Sequence, residues 1–122
     1  MTAHPPSIAV VDDDLRLLES LENLFESADF AVRGFSSGED LLAAGLDGFD
    51  CLIADIGMPG MDGFELCRVA KSLRPELPVF LITGRHEIAD QQRASARDIA
   101  GFFRKPFDGP SLLAAVSRAL GA

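Results

Sequence analysis

The stretch Cys51-Leu-Ile-Ala-Asp55-Ile-Gly-Met-Pro-Gly-Met-Asp-Gly63 decides how this chain is read. An apolar run stops abruptly at a carboxylate, Asp55. Gly57, Pro59, Gly60 and Gly63 follow, and then a helical pattern begins. The spacing predicts a buried strand over 49–55 that delivers Asp55 to a loop at its carboxyl end. In open α/β sheets, that edge is where ligands bind.

The same grammar repeats on either side. Ser7-Ile-Ala-Val-Val11 reads as a fully buried first strand, ended by Asp12-Asp13-Asp14. Leu15, Leu18, Leu21, Leu24, Phe25 and Ala28 then recur at helical spacing. Phe30 to Phe35 is a second strand, less apolar, as an edge strand would be. Ser36-Ser37-Gly38-Glu39 offers a helix N-cap before Leu41, Leu42 and Leu46, with Gly45 and Gly48 as stops. Asp62 caps a helix that carries Phe64, Leu66, Cys67, Val69, Ala70 and Leu73 and is closed by Pro75 and Pro78. Val79 to Thr83 is a fourth strand, broken by Gly84. A polar helix is expected over 86–97, a fifth strand over Ala100 to Arg104, and a last helix capped by Asp108 or Ser111.

Strands alternating with helices specify an α/β fold. Right-handed crossovers leave few topologies. The expected one is a single five-stranded parallel sheet, flavodoxin-like (βα)5, of order 2-1-3-4-5 with helices on both faces. Residues 1–6 read as a disordered leader and 7–122 as one domain. The net charge of −8 argues against direct nucleic-acid or anionic-membrane binding by this domain. No apolar run approaches a membrane span, and the N-terminus lacks signal-peptide regions, so a cytoplasmic protein is expected. Cys51 and Cys67 sit in apolar patterns with no zinc spacing and read as two reduced core thiols.

In such a sheet every strand's carboxyl end lies on one rim. Asp12, Asp13 and Asp14, Asp55, Thr83 and Lys105 are the polar residues there. Each alone has a plain structural explanation: a turn residue, a helix start favoured by the dipole, a strand residue, a surface lysine. Their coincidence on one rim points to a site. Clustered carboxylates repel unless a cation compensates, and oxygen-only ligands suit Mg²⁺. Thr83 and Lys105 supply a hydrogen-bond donor and a positive charge for a phosphoryl oxygen. Asp55, single and central behind an open glycine loop, is the best nucleophile.

At this point the chain, from about Ser7 to its end, resembles the receiver domain of bacterial two-component response regulators. Val10-Val11-Asp12-Asp13-Asp14 resembles the family's acidic first-strand end, and Asp55 to Gly63 its phosphoacceptor loop. Leu81-Ile-Thr83-Gly84 and Lys105-Pro106-Phe107 resemble its other two motifs. The resemblance implies that Asp55 takes a phosphoryl group from a histidine kinase or phosphotransfer protein. It implies Mg²⁺ (or Mn²⁺) on Asp13, Asp55 and the Gly57 carbonyl, with Asp12 acting through water. It also implies phosphoryl contacts from Thr83 and Lys105, a cis bond between Lys105 and Pro106, and only slow self-dephosphorylation rather than metabolic catalysis. Phe102 matches the aromatic switch position; lacking a Tyr hydroxyl, it also reads as a ring packed permanently inward as core. The readout surface would be the helix over 86–97, the fifth strand and the last helix, engaging a downstream protein, an effector domain or a second copy of the chain upon phosphorylation.

Two departures stand out. Arg97-Asp98-Ile99 replaces a small-residue stretch, so the helix over 86–97 is expected to end differently. Gly57 carries no side chain to screen Asp55 from water, while Gly84 and Arg85 flank the site as further modulators of its lifetime. A haloacid-dehalogenase-type phosphatase would want a second Asp where Gly57 stands. A flavin module would want a Ser/Thr/Gly-rich loop where the aspartates stand. A phosphorylation-independent pseudo-receiver would not keep every motif.

Overall fold

The computed structural model of the chain describes residues 5–84 and 98–121. The expected helix over 86–97 and Arg85 lie outside the described residues, as do residues 1–4 of the expected leader. Strands β1 (Ser7–Val11), β2 (Ala31–Phe35), β3 (Cys51–Asp55), β4 (Val79–Thr83) and β5 (Gly101–Arg104) form one sheet. Helices α1 (Leu15–Ser27), α2 (Gly38–Ala44), α3 (Gly63–Leu73) and α4 (Gly109–Ala119) complete the described elements. The order is β2-β1-β3-β4-β5, as expected, and every pairing is parallel.

Alternation along the strands builds two cores. Ala9, Val11, Leu52, Ala54, Val79 and Leu81 face one side, where Leu41 of α2 and Phe64, Leu66, Cys67 and Ala70 of α3 cover them. Ile8, Val10, Cys51, Ile53, Phe80 and Ile82 face the other, under Leu18, Leu21 and Phe25 of α1 and Leu112 and Val116 of α4. The central strands β3 and β4 are buried throughout, which is why they read as unbroken apolar runs. β2, at the edge, alternates with exposed positions. Cys51 and Cys67 are both buried thiols outside any disulfide, one in each core. Among the described residues no helix is long and apolar enough to cross a membrane.

The helix starts are fixed by side-chain oxygens that accept first-turn N–H groups. Asp14 accepts from Arg16 (3.0 Å), Ser37 from Asp40 (3.1 Å), Asp62 from Glu65 (2.8 Å) and Asp108 from Ser111 (3.0 Å). The choice left open at the last helix resolves to Asp108. Ser111 instead donates its hydroxyl to the same carboxylate, at 2.6 Å. Three strands begin later than expected. Phe30 and Phe49 are buried but precede their strands: Phe30 closes the end of α1 through the Phe25 carbonyl, and Phe49 sits in a turn bonded to the Leu46 carbonyl. Ala100 bonds the Val79 carbonyl just before β5 begins. Burial, rather than strand pairing, explains the apolar residues at 30 and 49.

At the edge opposite the strand carboxyl ends, Arg74 staples two connections together. Its Nη1 donates to the Leu46 carbonyl (2.7 Å) and the Phe49 carbonyl (2.6 Å), and its Nε to Glu76 (2.8 Å). Arg74→Ala strands two carbonyl acceptors. It is expected to lower unfolding free energy by about 1–3 kcal/mol in urea titrations, with divalent-cation binding unchanged at the far edge.

Candidate functional site

The connectivity places the site. The chain runs outward from β1 to β2 and then crosses back to β3, so the loops after β1 and β3 diverge. A crevice opens between them at the strands' carboxyl ends. Asp12 follows β1 there, and Asp55 ends β3.

The three consecutive aspartates divide their duties. Asp12 is fully buried. Its N–H donates to the Phe35 carbonyl (3.1 Å), one carboxylate oxygen accepts the Asp14 N–H (2.8 Å), and the other accepts Lys105 Nζ (3.0 Å). Asp13 is exposed at the rim, and Asp14 caps α1. Of the two readings open to the aspartates, strand end and helix start, Asp14 takes the second: its oxygen is committed to the helix.

Asp55 is 5% exposed, and Lys105 Nζ lies 3.5 Å from its Oδ1. Lys105 reaches both carboxylates because its backbone continues the sheet: its N–H donates to the Thr83 carbonyl at 2.7 Å. The Lys105–Pro106 bond is cis, as the resemblance implied. A cleft of about 590 Å³ opens over this pair, lined by Asp55, Gly57, Pro59, Asp62, Gly84 and Lys105 among others. Gly57 is exposed, and a Cβ built there would meet nothing within 4 Å. Gly63 is the opposite case. A Cβ there would stand 2.5 Å from the Asp55 carbonyl oxygen and 2.8 Å from Ile56 Cα, so only glycine lets α3 start this close to the strand end.

Thr83 is completely buried at the end of β4, and a Cβ built on Gly84 next to it would stand 3.9 Å from Lys105 Cδ. Phe102 is half-buried against the α2–α3 core, with the Arg104 guanidinium 5.9 Å from its ring centroid. One contact was missed in the sequence. Glu39, read only as part of a helix start, accepts the Met61 N–H at 3.4 Å and so touches the Asp55 loop. Nothing in local spacing signals a contact between residues on different elements.

Burial raises the Asp12 carboxyl above its ordinary range, against the Asp14 N–H and Lys105, which favour the charged form. Burial likewise raises Asp55, with Lys105 and the Gly57 N–H opposing and the Asp13 charge adding to the rise. Lys105 is pulled down by burial, but the Asp12 hydrogen bond and the charges of Asp12 and Asp55 outweigh it, and the net shift is upward. One ammonium therefore compensates two buried carboxylates incompletely. Oxygen atoms of Asp12, Asp13 and Asp55 all lie within 4.8 Å of one another. This hard, oxygen-only and over-negative donor set fits a divalent cation of the Mg²⁺ kind.

A raised carboxylate holds its proton more tightly when folded, so ionising it costs stability. That cost sets in as pH climbs through the ordinary aspartate range and is complete above the raised folded value. Without divalent cations, Asp55→Asn is expected to raise unfolding free energy at pH 7 by on the order of 1 kcal/mol. The gain should shrink toward pH 4, and added Mg²⁺ should stabilise only the wild-type protein. Chemical denaturation across pH, with and without Mg²⁺, checks this.

Comparison with known proteins gives the same reading as the geometry. Residues 8–117 match the response regulator receiver domain family. The chain is 36% identical over 115 residues to the C4-dicarboxylate transport transcriptional regulatory protein DctD of Rhizobium meliloti, covering 93% of this chain and 25% of that one. It is 34% identical over 115 residues to the transcriptional regulatory protein FixJ of Bradyrhizobium diazoefficiens, covering 93% and 56%. It therefore spans between about a quarter and about half the length of these relatives. Among solved structures, the BeF3-activated receiver domain of DrrB superposes with a TM-score of 0.89 at 31% identity, covering 97% of this chain and 99% of that one. The chain belongs to the response regulator receiver domain family, the phosphoacceptor module of two-component signalling.

Proposed function

We propose that Asp55 is the phosphoacceptor, with Asp13, Asp55 and the Gly57 carbonyl as the direct ligands of a Mg²⁺ or Mn²⁺ ion and Asp12 acting on it through water. One observation carries this reading. A single lysine bridges two buried carboxylates at an open cleft, at 3.0 and 3.5 Å. A structural ion pair would not need a second buried carboxylate, nor an opening above it. The donor is a phosphohistidine on a histidine kinase or phosphotransfer protein of the cytoplasm. An Asp55 carboxylate oxygen attacks phosphorus as the phosphorus–nitrogen bond breaks. The imidazole leaves with the electron pair, and an acyl phosphate remains on Asp55. A bound divalent cation supplies charge neutralisation for the phosphoryl oxygens. Lys105, already held at the rim by the Thr83 carbonyl, follows the new charge, and the Thr83 hydroxyl donates to a phosphoryl oxygen.

Phe102 and the surface made by β5, α4 and the expected helix over 86–97 carry the signal onward, to an effector domain, a separate protein or a second copy. Receiver domains are generally not classical enzymes. In this reading the chain catalyses only its own phosphorylation and a slow hydrolysis. The family match disfavours the haloacid-dehalogenase and flavin readings, and the bridged carboxylates give a pseudo-receiver no reason to keep them.

Acetyl phosphate with Mg²⁺ is expected to place an acid- and base-labile phosphate on the wild-type chain, read by intact-protein mass spectrometry at near-neutral pH. Asp55→Asn should abolish it, and Lys105→Ala should reduce it severely while leaving Mg²⁺ binding in place. Uptake by Asp55→Asn equal to wild type would remove Asp55 from the role. The space beside Gly57 gives a second expectation. Gly57→Asn places a side chain at the mouth of the cleft and is expected to lengthen the phosphoryl half-life severalfold, measured by release of inorganic phosphate.

A further inference from the structure

The loop that follows Asp55 is tied at its roots by backbone bonds. The Ile56 N–H donates to the Ile82 carbonyl (2.8 Å), and the Gly63 N–H to the Ile56 carbonyl (3.1 Å). Its tip, Gly60–Met61, meets the start of α2. The Met61 N–H donates to Glu39 Oε2 at 3.4 Å. The same oxygen lies 3.0 Å from where a Cβ would stand on Gly60, which holds φ at +74°. Met61 Sδ lies 3.0 Å from where a Cβ would stand on Gly38, a buried residue one position before Glu39. Two glycines, one on each element, thus let helix and loop approach, and a carboxylate lies across the contact. Glu39 has no duty in capping α2, because Ser37 already accepts the Asp40 N–H at 3.1 Å. Its charge sits in the helix's first turn, where the dipole favours it.

We infer that Glu39 is a positioning residue for phosphoryl acceptance, holding the tip of the Asp55 loop through the Met61 N–H and thereby setting where the Gly57 carbonyl and the cleft wall stand. The inference rests on the reading of Asp55 as acceptor, and it adds a residue from α2, an element absent from the cleft lining named above. Glu39 touches none of the reacting atoms. Its effect passes along the few residues between Gly57 and Met61, so loosening the tip loosens the wall of the site.

Three variants test this in the full chain. Glu39→Ala removes the acceptor, Glu39→Gln keeps it without the charge, and Asp40→Asn removes a neighbouring charge that does not reach the loop. Ser37 still caps α2 in all three, and alanine is a good helix former, so thermal unfolding should stay close to wild type. In the metal-free protein, Glu39→Ala is expected to speed Met61 amide hydrogen exchange about three- to tenfold, the range that loss of one exposed hydrogen bond allows. With Mg²⁺ and saturating acetyl phosphate, it should slow the first-order uptake of phosphate by a similar factor. Glu39→Gln and Asp40→Asn should match wild type in both. Unchanged Met61 exchange in Glu39→Ala overturns the contact. Faster exchange with unchanged phosphate uptake overturns the positioning role, and so does Glu39→Gln behaving like Glu39→Ala. If the wild-type chain itself takes up no phosphate, the Asp55 reading falls, and the exchange difference still reports the contact by itself.

Discussion

One ammonium group between two buried carboxylates sets the terms for this molecule. Taking Asp12 and Asp55 out of water is unfavourable, and Lys105 offsets that only in part, as the upward shift of both carboxyls records. A protein selected for stability alone would have little use for such an arrangement, since a well-packed apolar replacement is often at least as stable. The cluster makes sense as an over-negative pocket whose charge a divalent cation of the Mg²⁺ kind would offset. The rest of the fold is the frame that keeps these groups close while leaving one side open.

That frame is a matter of connectivity more than of local sequence. Asp12, Asp55 and Lys105 come from distant parts of the chain, and they meet because parallel strands end on the same edge. The reversal of direction between β2 and β3 parts the loops above β1 and β3. Lys105 enters from the other side of Asp55 because β4 and β5 extend the sheet and the Thr83 carbonyl adds one more backbone bond beyond the last strand residue. Side-chain geometry at the site thus inherits its precision from main-chain hydrogen bonds.

Much of this was legible from residues alone. Unbroken apolar runs at β1, β3 and β4 announced doubly covered strands, and their alternation with helical periodicity left one common strand order. Asp12, Asp55 and Lys105 could be placed on a rim because a strand end is visible in sequence as the point where apolar character stops. What was not legible was division of labour and long-range contact. Asp12, Asp13 and Asp14 look alike in a row, yet one is buried, one faces solvent and one caps a helix, a distinction made by backbone direction over three residues. Phe30 and Phe49 look like strand residues because burial and pairing leave the same apolar mark. Glu39 reaches Met61 across two elements, and the need for glycine at 63 comes from the approach of a carbonyl eight residues earlier in the chain.

The two thiols carry a last consequence. Cys51 lies in the core under α1 and α4, with its ionisation pushed up to about 12 by burial, and Cys67 lies in the core on the α3 side. The sheet stands between them. A disulfide joining them would require the strands to part, and a thiol that stays protonated at neutral pH is a poor target for oxidants. In the folded domain the two thiols are therefore kept from pairing with each other, each held in its own core on one side of the sheet.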